Sequence, residues 1–185
     1  MKEIVILGGP NGAGKTTAAR VLLPEFFRMD EFLNADEIAR AIAPDDSEGA
    51  AFAAGRQMIQ KMRGYISGER SFGFETTLSG KSYAPLLERC KADGWRITLM
   101  YFWLQSPELA VQRVARRVRQ GGHGIPRETI VRRFYAGLGN MREFYLPLAD
   151  TAAIYDNGGE QRILIAEKEH GFPLVIRDPE RWSRI

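Results

Sequence analysis

Gly9-Pro10-Asn11-Gly12-Ala13-Gly14-Lys15-Thr16 fits the pattern G-x-x-x-x-G-K-[ST] and follows directly on the apolar run Ile4-Val5-Ile6-Leu7. A strand that feeds a glycine-rich loop at the start of a helix is the context in which this pattern cradles phosphate. Backbone N–H groups of such a loop converge on an anion, and the helix that follows adds the positive end of its dipole. Lys15 is expected at the β and γ phosphates of a nucleotide, and the Thr16 hydroxyl is expected to ligate Mg²⁺. A plain turn needs glycines, but it has no need of Lys-Thr at this offset.

Outward from the loop, strands and helices alternate. Residues 2–8 read as a strand, and the helix from Lys15 is expected to stop at about Leu23, ahead of Pro24. Asn34 with Glu37 three residues later resembles a capping box for a helix through Ile42. A longer helix is predicted from Ser47 to about Ser67, a strand over Ser71–Thr77 and a helix over Ser82–Ala92. Trp95–Leu104 is apolar almost throughout, as expected of a central parallel strand covered on both faces. Helices are then predicted over Pro107–Gln120 and from about Pro126 to Tyr145, with Gly121-Gly122-His123-Gly124 between them. Ala152–Asp156 and Arg162–Lys168 read as short strands joined by a turn at Asn157-Gly158-Gly159-Glu160. The pattern implies an α/β fold of the P-loop NTPase kind, in three α/β/α layers with a parallel central sheet. Ligand chemistry then belongs at the carboxyl ends of the strands.

Several residues fall at such ends. Asp36 opens a helix after a short apolar segment, where a carboxylate can take a proton from an acceptor hydroxyl. The same position suits an acid that merely complements a helix dipole. Glu75 follows Phe72-Gly73-Phe74 at the exit of a strand, facing solvent or a metal and substrate. Between Arg113 and Arg133 stand seven arginines against one acid, Glu128. Two helices hinged on the glycine segment would form a lid at about 106–133 whose arginines neutralise transferred phosphate. A solvated helix face accounts for such a charge run equally. His123 reads as a polar loop residue.

With 185 residues, 44% of them hydrophobic, the chain has one domain's worth of core, spanning 1–185 with a tail from about 170. That tail is expected to pack back on the domain or to meet another chain. The net charge of +3 is local to the arginine segment, which suits a small polyanion better than a long duplex. Cys90 is the lone cysteine, which rules out an internal disulfide and fits a reducing compartment. No apolar stretch approaches the ~18 residues of a membrane span, and the amino terminus does not read as a signal peptide. A cytoplasmic location without membrane contact is expected.

Taken in series, Gly9–Thr16, Phe32-Leu33-Asn34-Ala35-Asp36-Glu37-Ile38-Ala39, Phe74-Glu75-Thr76-Thr77 and Gly121-Gly122-His123-Gly124-Ile125-Pro126 with Arg132-Arg133-Phe134 resemble the zeta-toxin family of small P-loop kinases. The resemblance spans about residues 1–157. It implies an ATP- and Mg²⁺-dependent kinase that phosphorylates a hydroxyl of a nucleotide sugar such as UDP-N-acetylglucosamine, and it suggests an antitoxin protein as a partner. By the same resemblance Gly9, Pro10, Asn11, Gly12, Ala13, Gly14, Lys15, Thr16 and Thr17 bind ATP, Thr16 also holding the metal. Lys15, Asp36 as base and Glu75 near substrate would be catalytic. Arg113, Arg116, Arg119, Arg132 and Arg133 are the lid candidates. Asn157, in the loop after a late strand, is a candidate for the adenine edge, on a residue pair that also suits a turn. The chain departs from the family in having Gly-His-Gly before the lid proline, where toxins place an arginine; Arg127, Arg132 or Arg133 would take over that charge. Two other functions remain open: an NTPase switch, and a nucleoside or polynucleotide 5′-kinase.

Overall fold

The computed structural model describes residues 2–29, 31–43 and 49–185. One seven-stranded sheet has the order β2-β3-β1-β4-β5-β6-β7. Its strands are β1 Glu3–Gly8, β2 Phe32–Asn34, β3 Phe72–Thr76, β4 Arg96–Trp103, β5 Thr151–Asp156, β6 Ile163–Lys168 and β7 Val175–Ile176. The first five run parallel, as expected. The pairings β5–β6 and β6–β7 are antiparallel, so β6 alone runs against an otherwise parallel sheet. The short loop 157–162 is the cause: a parallel return needs a crossover of a dozen or more residues.

Helices cover both faces: α1 Lys15–Phe26, α2 Ala35–Ile42, α3 Ala51–Ser67, α4 Ala84–Ala92, α5 Pro107–Arg119, α6 Arg127–Asn140, α7 Leu146–Leu148 and α8 Pro179–Trp182. The central strand shows the layering directly. Ile4 and Ile6 point into one core with Phe72, Phe74, Leu87 and Tyr145. Val5 and Leu7, one residue out of phase, point into a second with Ala18, Leu23, Val114 and Phe134. A pleated strand sends alternate side chains to opposite faces, so the unbroken apolar run of β1 feeds two cores.

Two boundaries differ from the sequence reading. Helix α1 passes through Pro24 to Phe26 instead of stopping at Leu23. Pro24 has no N–H for the Arg20 carbonyl one turn back, and both residues are exposed, so water can serve that carbonyl. The predicted helix start at Ser47 lies outside the described residues. The long helix expected from Pro126 to Tyr145 widens into a π turn over Met141–Tyr145. Just there Asn140 Nδ2 donates to the Leu78 carbonyl at 2.8 Å and the Tyr145 hydroxyl to the Gly80 carbonyl at 2.7 Å. The tail packs back on the domain through β7 and α8, neither of which was read from sequence, and Ile185 is buried.

Candidate active site

Three neighbouring strands, β2, β3 and β1, deliver the chemistry to one edge. Leu7 is in register with Glu75, and Glu75 with Asn34, so the chain leaves β1 into the phosphate loop beside Glu75, with the start of α2 on the far side. Gly14 caps α1 in the left-handed region (φ 81°), a conformation that favours glycine and turns the loop into the helix. Asn34 accepts from the backbone N–H groups of Asp36 and Glu37 at 2.9 and 3.3 Å, which fixes the first turn of α2 and with it Asp36.

Lys15 is buried, and its Nζ donates to the Pro10 carbonyl at 3.0 Å, inside the curl of the loop. Thr16 Oγ1 donates to Glu75 Oε2 at 2.7 Å. Burial above all lowers the pKa of the Lys15 ammonium, against the attraction of Glu75 and Asp36 and with the repulsion of Arg117 and Arg133. Burial likewise pushes Glu75 up; Lys15 and the Thr16 hydrogen bond oppose it, and Asp36 and Glu37 add to it. Tyr83 is raised by burial and by Asp36. These mutual fields place Lys15, Glu75, Asp36, Arg117 and Arg133 in one site.

That site is a cleft of about 530 Å³ with Lys15, Thr16, Thr17, Asp36, Glu75 and Arg133 in its walls. Asp36 is exposed within it. Thr77, Ser79 and Tyr83 line one side, and Arg20 and Arg40 contribute further positive charge. Thr16 and Glu75 offer a hydroxyl and a carboxylate 2.7 Å apart, and no group of three or more His, Cys, Asp or Glu able to hold a metal exists among the described residues. Two oxygen donors fit Mg²⁺, which keeps several waters and takes its other ligands from substrate phosphates.

The arginine segment divides. Arg117 and Arg133 line the cleft, and the Arg117 guanidinium donates to the His123 carbonyl at 2.8 Å. Arg116, Arg119 and Arg132 are exposed and do not line the cleft, and Arg127 stands 3.9 Å from Glu108. Arg113 is a strut: it donates to the carbonyls of Asn157 and Gly158 at 2.8 and 3.0 Å. Asn157 stands beside the phosphate loop, where its Nδ2 donates to the Ala13 carbonyl at 2.7 Å. The site residue that sequence reasoning passed over is Arg117. Its signal is the i, i+4 spacing from Arg113, which sets the two on one helical face.

A phosphate loop at the carboxyl edge of a parallel sheet, with a buried lysine, two acids and arginines across one cleft, defines a P-loop kinase. The chain belongs to the Zeta toxin family, which matches residues 1–169. It is a nucleotide-binding phosphotransferase. Over 129 residues it is 30% identical to an uncharacterised protein of Haemophilus influenzae, a stretch covering 68% of this chain and 88% of that one. A chain from the PezAT chromosomal toxin-antitoxin system of Streptococcus pneumoniae superposes with a TM-score of 0.62 at 19% identity, over 90% of this chain and 72% of that one. A chain of the AvrRxo1-ORF1:-ORF2 structure with ATP gives 0.74 at 17% identity, over 100% of this chain. The present chain spans 63% of that protein. At such identities the likeness is one of fold. No helix among the described residues is long and apolar enough to cross a membrane.

Proposed function

We propose that residues 1–185 act as one kinase domain that transfers the γ-phosphate of ATP to a hydroxyl of a small acceptor. The first acceptor to test is a nucleotide sugar such as UDP-N-acetylglucosamine. The observation that carries this reading is the meeting of Lys15, Thr16, Glu75 and Asp36 at the ends of three adjacent strands. Residues 9–17 hold the triphosphate, with the Lys15 ammonium at the β and γ groups. Asp36, exposed in the cleft, accepts the proton of the acceptor hydroxyl as its oxygen bonds to the γ phosphorus and the bond to the β-phosphate oxygen breaks, releasing ADP. Glu75 orients the acceptor side. Arg117 and Arg133, on a lid of residues 106–133, neutralise charge on the transferred group. Arg116, Arg119 and Arg132 would reach it only if closure turned their helix faces inward. Thr16 and Glu75 would hold Mg²⁺, which supplies neutralising charge on the β and γ phosphates. A cytoplasmic location and an antitoxin partner belong to the same reading, supported by the family and by the PezAT toxin-antitoxin likeness.

The test is ATP turnover measured alone, with UDP-N-acetylglucosamine, with a panel of nucleosides and nucleotide sugars, and with a 5′-hydroxyl oligonucleotide. Mass gain of a small acceptor, abolished by EDTA, is the expected result. Asp36→Asn should lower turnover by about 10²–10⁴-fold and leave ATP binding intact. Unchanged turnover in that variant refutes the base, and turnover that no acceptor stimulates favours the switch.

A further inference from the structure

The carboxyl-terminal segment is tied to the phosphate loop by a continuous chain of hydrogen bonds. At the end of β5 Asp156 is 2% exposed, and its carboxylate accepts from the Gly158 N–H at 2.8 Å, from Gln105 Nε2 at 3.0 Å and from Arg181 Nε at 2.9 Å. Arg181 belongs to α8 and is itself gripped by Asp178, the residue that caps that helix. Burial alone would raise the pKa of Asp156, but the hydrogen bonds from Gln105, Gly158 and Arg181 hold it below the ordinary carboxylate value. The two residues that follow carry the connection to the loop. Asn157 Nδ2 donates to the Ala13 carbonyl at 2.7 Å, while Arg113 spans the carbonyls of Asn157, Gly158 and, at 3.5 Å, Gly12.

The physical need is plain. A loop that turns its N–H groups inward upon phosphate turns carbonyls outward, and buried carbonyls require donors. At Gly12 and Ala13 those donors are Arg113 and Asn157, and both depend on where the 156–158 turn sits. That turn is fixed by a buried carboxylate whose sole charged hydrogen-bond donor among the described residues is Arg181. With Arg181 removed, Asp156 would be a buried anion served only by neutral donors, a costly arrangement that the turn can relieve by moving toward water.

We infer that Arg181 and Asp156 are positioning residues for nucleotide binding, so that the segment beyond residue 169, outside the family match, sets the shape of the phosphate loop. This rests on the loop binding ATP. Neither residue lines the cleft, so their influence falls on affinity and not on the transfer step.

The experiment compares wild type, Arg181→Gln, Arg181→Lys and, as a control in the same segment, Arg177→Gln, whose partner is Glu167 on β6. Binding of a fluorescent ATP analogue and initial rates against ATP are both read. Arg181→Gln should raise Kd and KM for ATP about three- to tenfold, with kcat at saturation within about twofold, which corresponds to roughly 0.7–1.4 kcal/mol of binding. Arg181→Lys should recover part of that loss, and Arg177→Gln should match wild type. A Kd for Arg181→Gln within twofold of wild type overturns the inference, as does an equal loss in Arg177→Gln, which would mark general loosening of the tail. If Arg181→Gln does not fold, Arg181→Lys, which keeps the charge but not the Nε–H bond to Asp156, must show a smaller KM-selective defect, and a wild-type KM there overturns the inference. Failure of wild type to bind the analogue would instead strike the nucleotide reading itself.

Discussion

Gly137→Ala should destabilise the protein although it places a better helix former inside a helix. Gly137 lies in α6 where that helix presses on the loop after β3, and a Cβ there would lie inside 3.0 Å of the Thr77 carbonyl oxygen and 3.3 Å from the Thr77 carbonyl carbon. The obstacle is backbone, so no rotamer change relieves it; the helix must retreat by about 1 Å, at the ~1–3 kcal/mol typical of overpacking. Retreat also stretches the bonds from Asn140 to Leu78 and from Tyr145 to Gly80, each worth about 1 kcal/mol. Against this stands a helix-propensity gain of about 1 kcal/mol, so the net loss should be roughly 2–4 kcal/mol. For a domain of this size that lowers Tm by about 5–15 °C. Gly139, two residues on and exposed, has nothing within 4 Å of an added Cβ, so Gly139→Ala should stabilise by a few tenths to about 1 kcal/mol. Thermal and urea unfolding of the pair decide the matter. If both glycines respond alike, or Gly137→Ala melts with wild type, α6 does not pack on the Thr77–Gly80 loop as described. Because Thr77 and Ser79 line the cleft, the same variant should also raise the KM of the acceptor.

Further outcomes are expected at the site. Glu75 holds its proton more tightly in the fold than in the unfolded chain, so it costs stability as pH rises from about 4.3 through its raised pKa. Glu75→Gln should therefore gain stability over wild type between pH 4 and pH 7, read from urea midpoints without nucleotide, while losing activity; a pH-independent difference refutes this. Lys15→Ala should lose most ATP affinity, and isothermal titration showing unchanged binding would reject the loop assignment. Arg117→Ala and Arg133→Ala should each lower kcat by about 10²-fold or more, whereas Arg116→Ala and Arg119→Ala should stay within about threefold; the reverse order would place the working arginines on the other helix face. Hydrogen exchange over residues 113–133 should slow on addition of ATP, and indifference to nucleotide would argue against a closing lid.

What the sequence disclosed and what it withheld divide along chain distance. The phosphate loop, the capped start of α2 at Asn34 and the buried strands β1 and β4 are dictated by neighbours within a turn or a pleat, and periodicity reads them directly. Pro24 misled because its lost bond and its crowding of the preceding turn are local costs, whereas α1 is held through it by the packing of Ala18, Ala19 and Leu23 in the core, which no local pattern shows. The lid arginines were visible as a cluster, yet which of them face the cleft depends on how α5 lies against the phosphate loop, where Ala110 and Arg113 close on Gly12. The roles of Arg113, Asn157, Asp156 and Arg181 were hidden for the same reason, more strongly: each joins residues far apart in the chain, and no local pattern marks a carbonyl that needs a donor. A nest of N–H groups leaves an outward row of carbonyls whose partners must come from elsewhere in the fold. The loop motif thus announces phosphate binding and itself supplies Lys15, while the donors to its outward carbonyls are side chains that the motif does not contain.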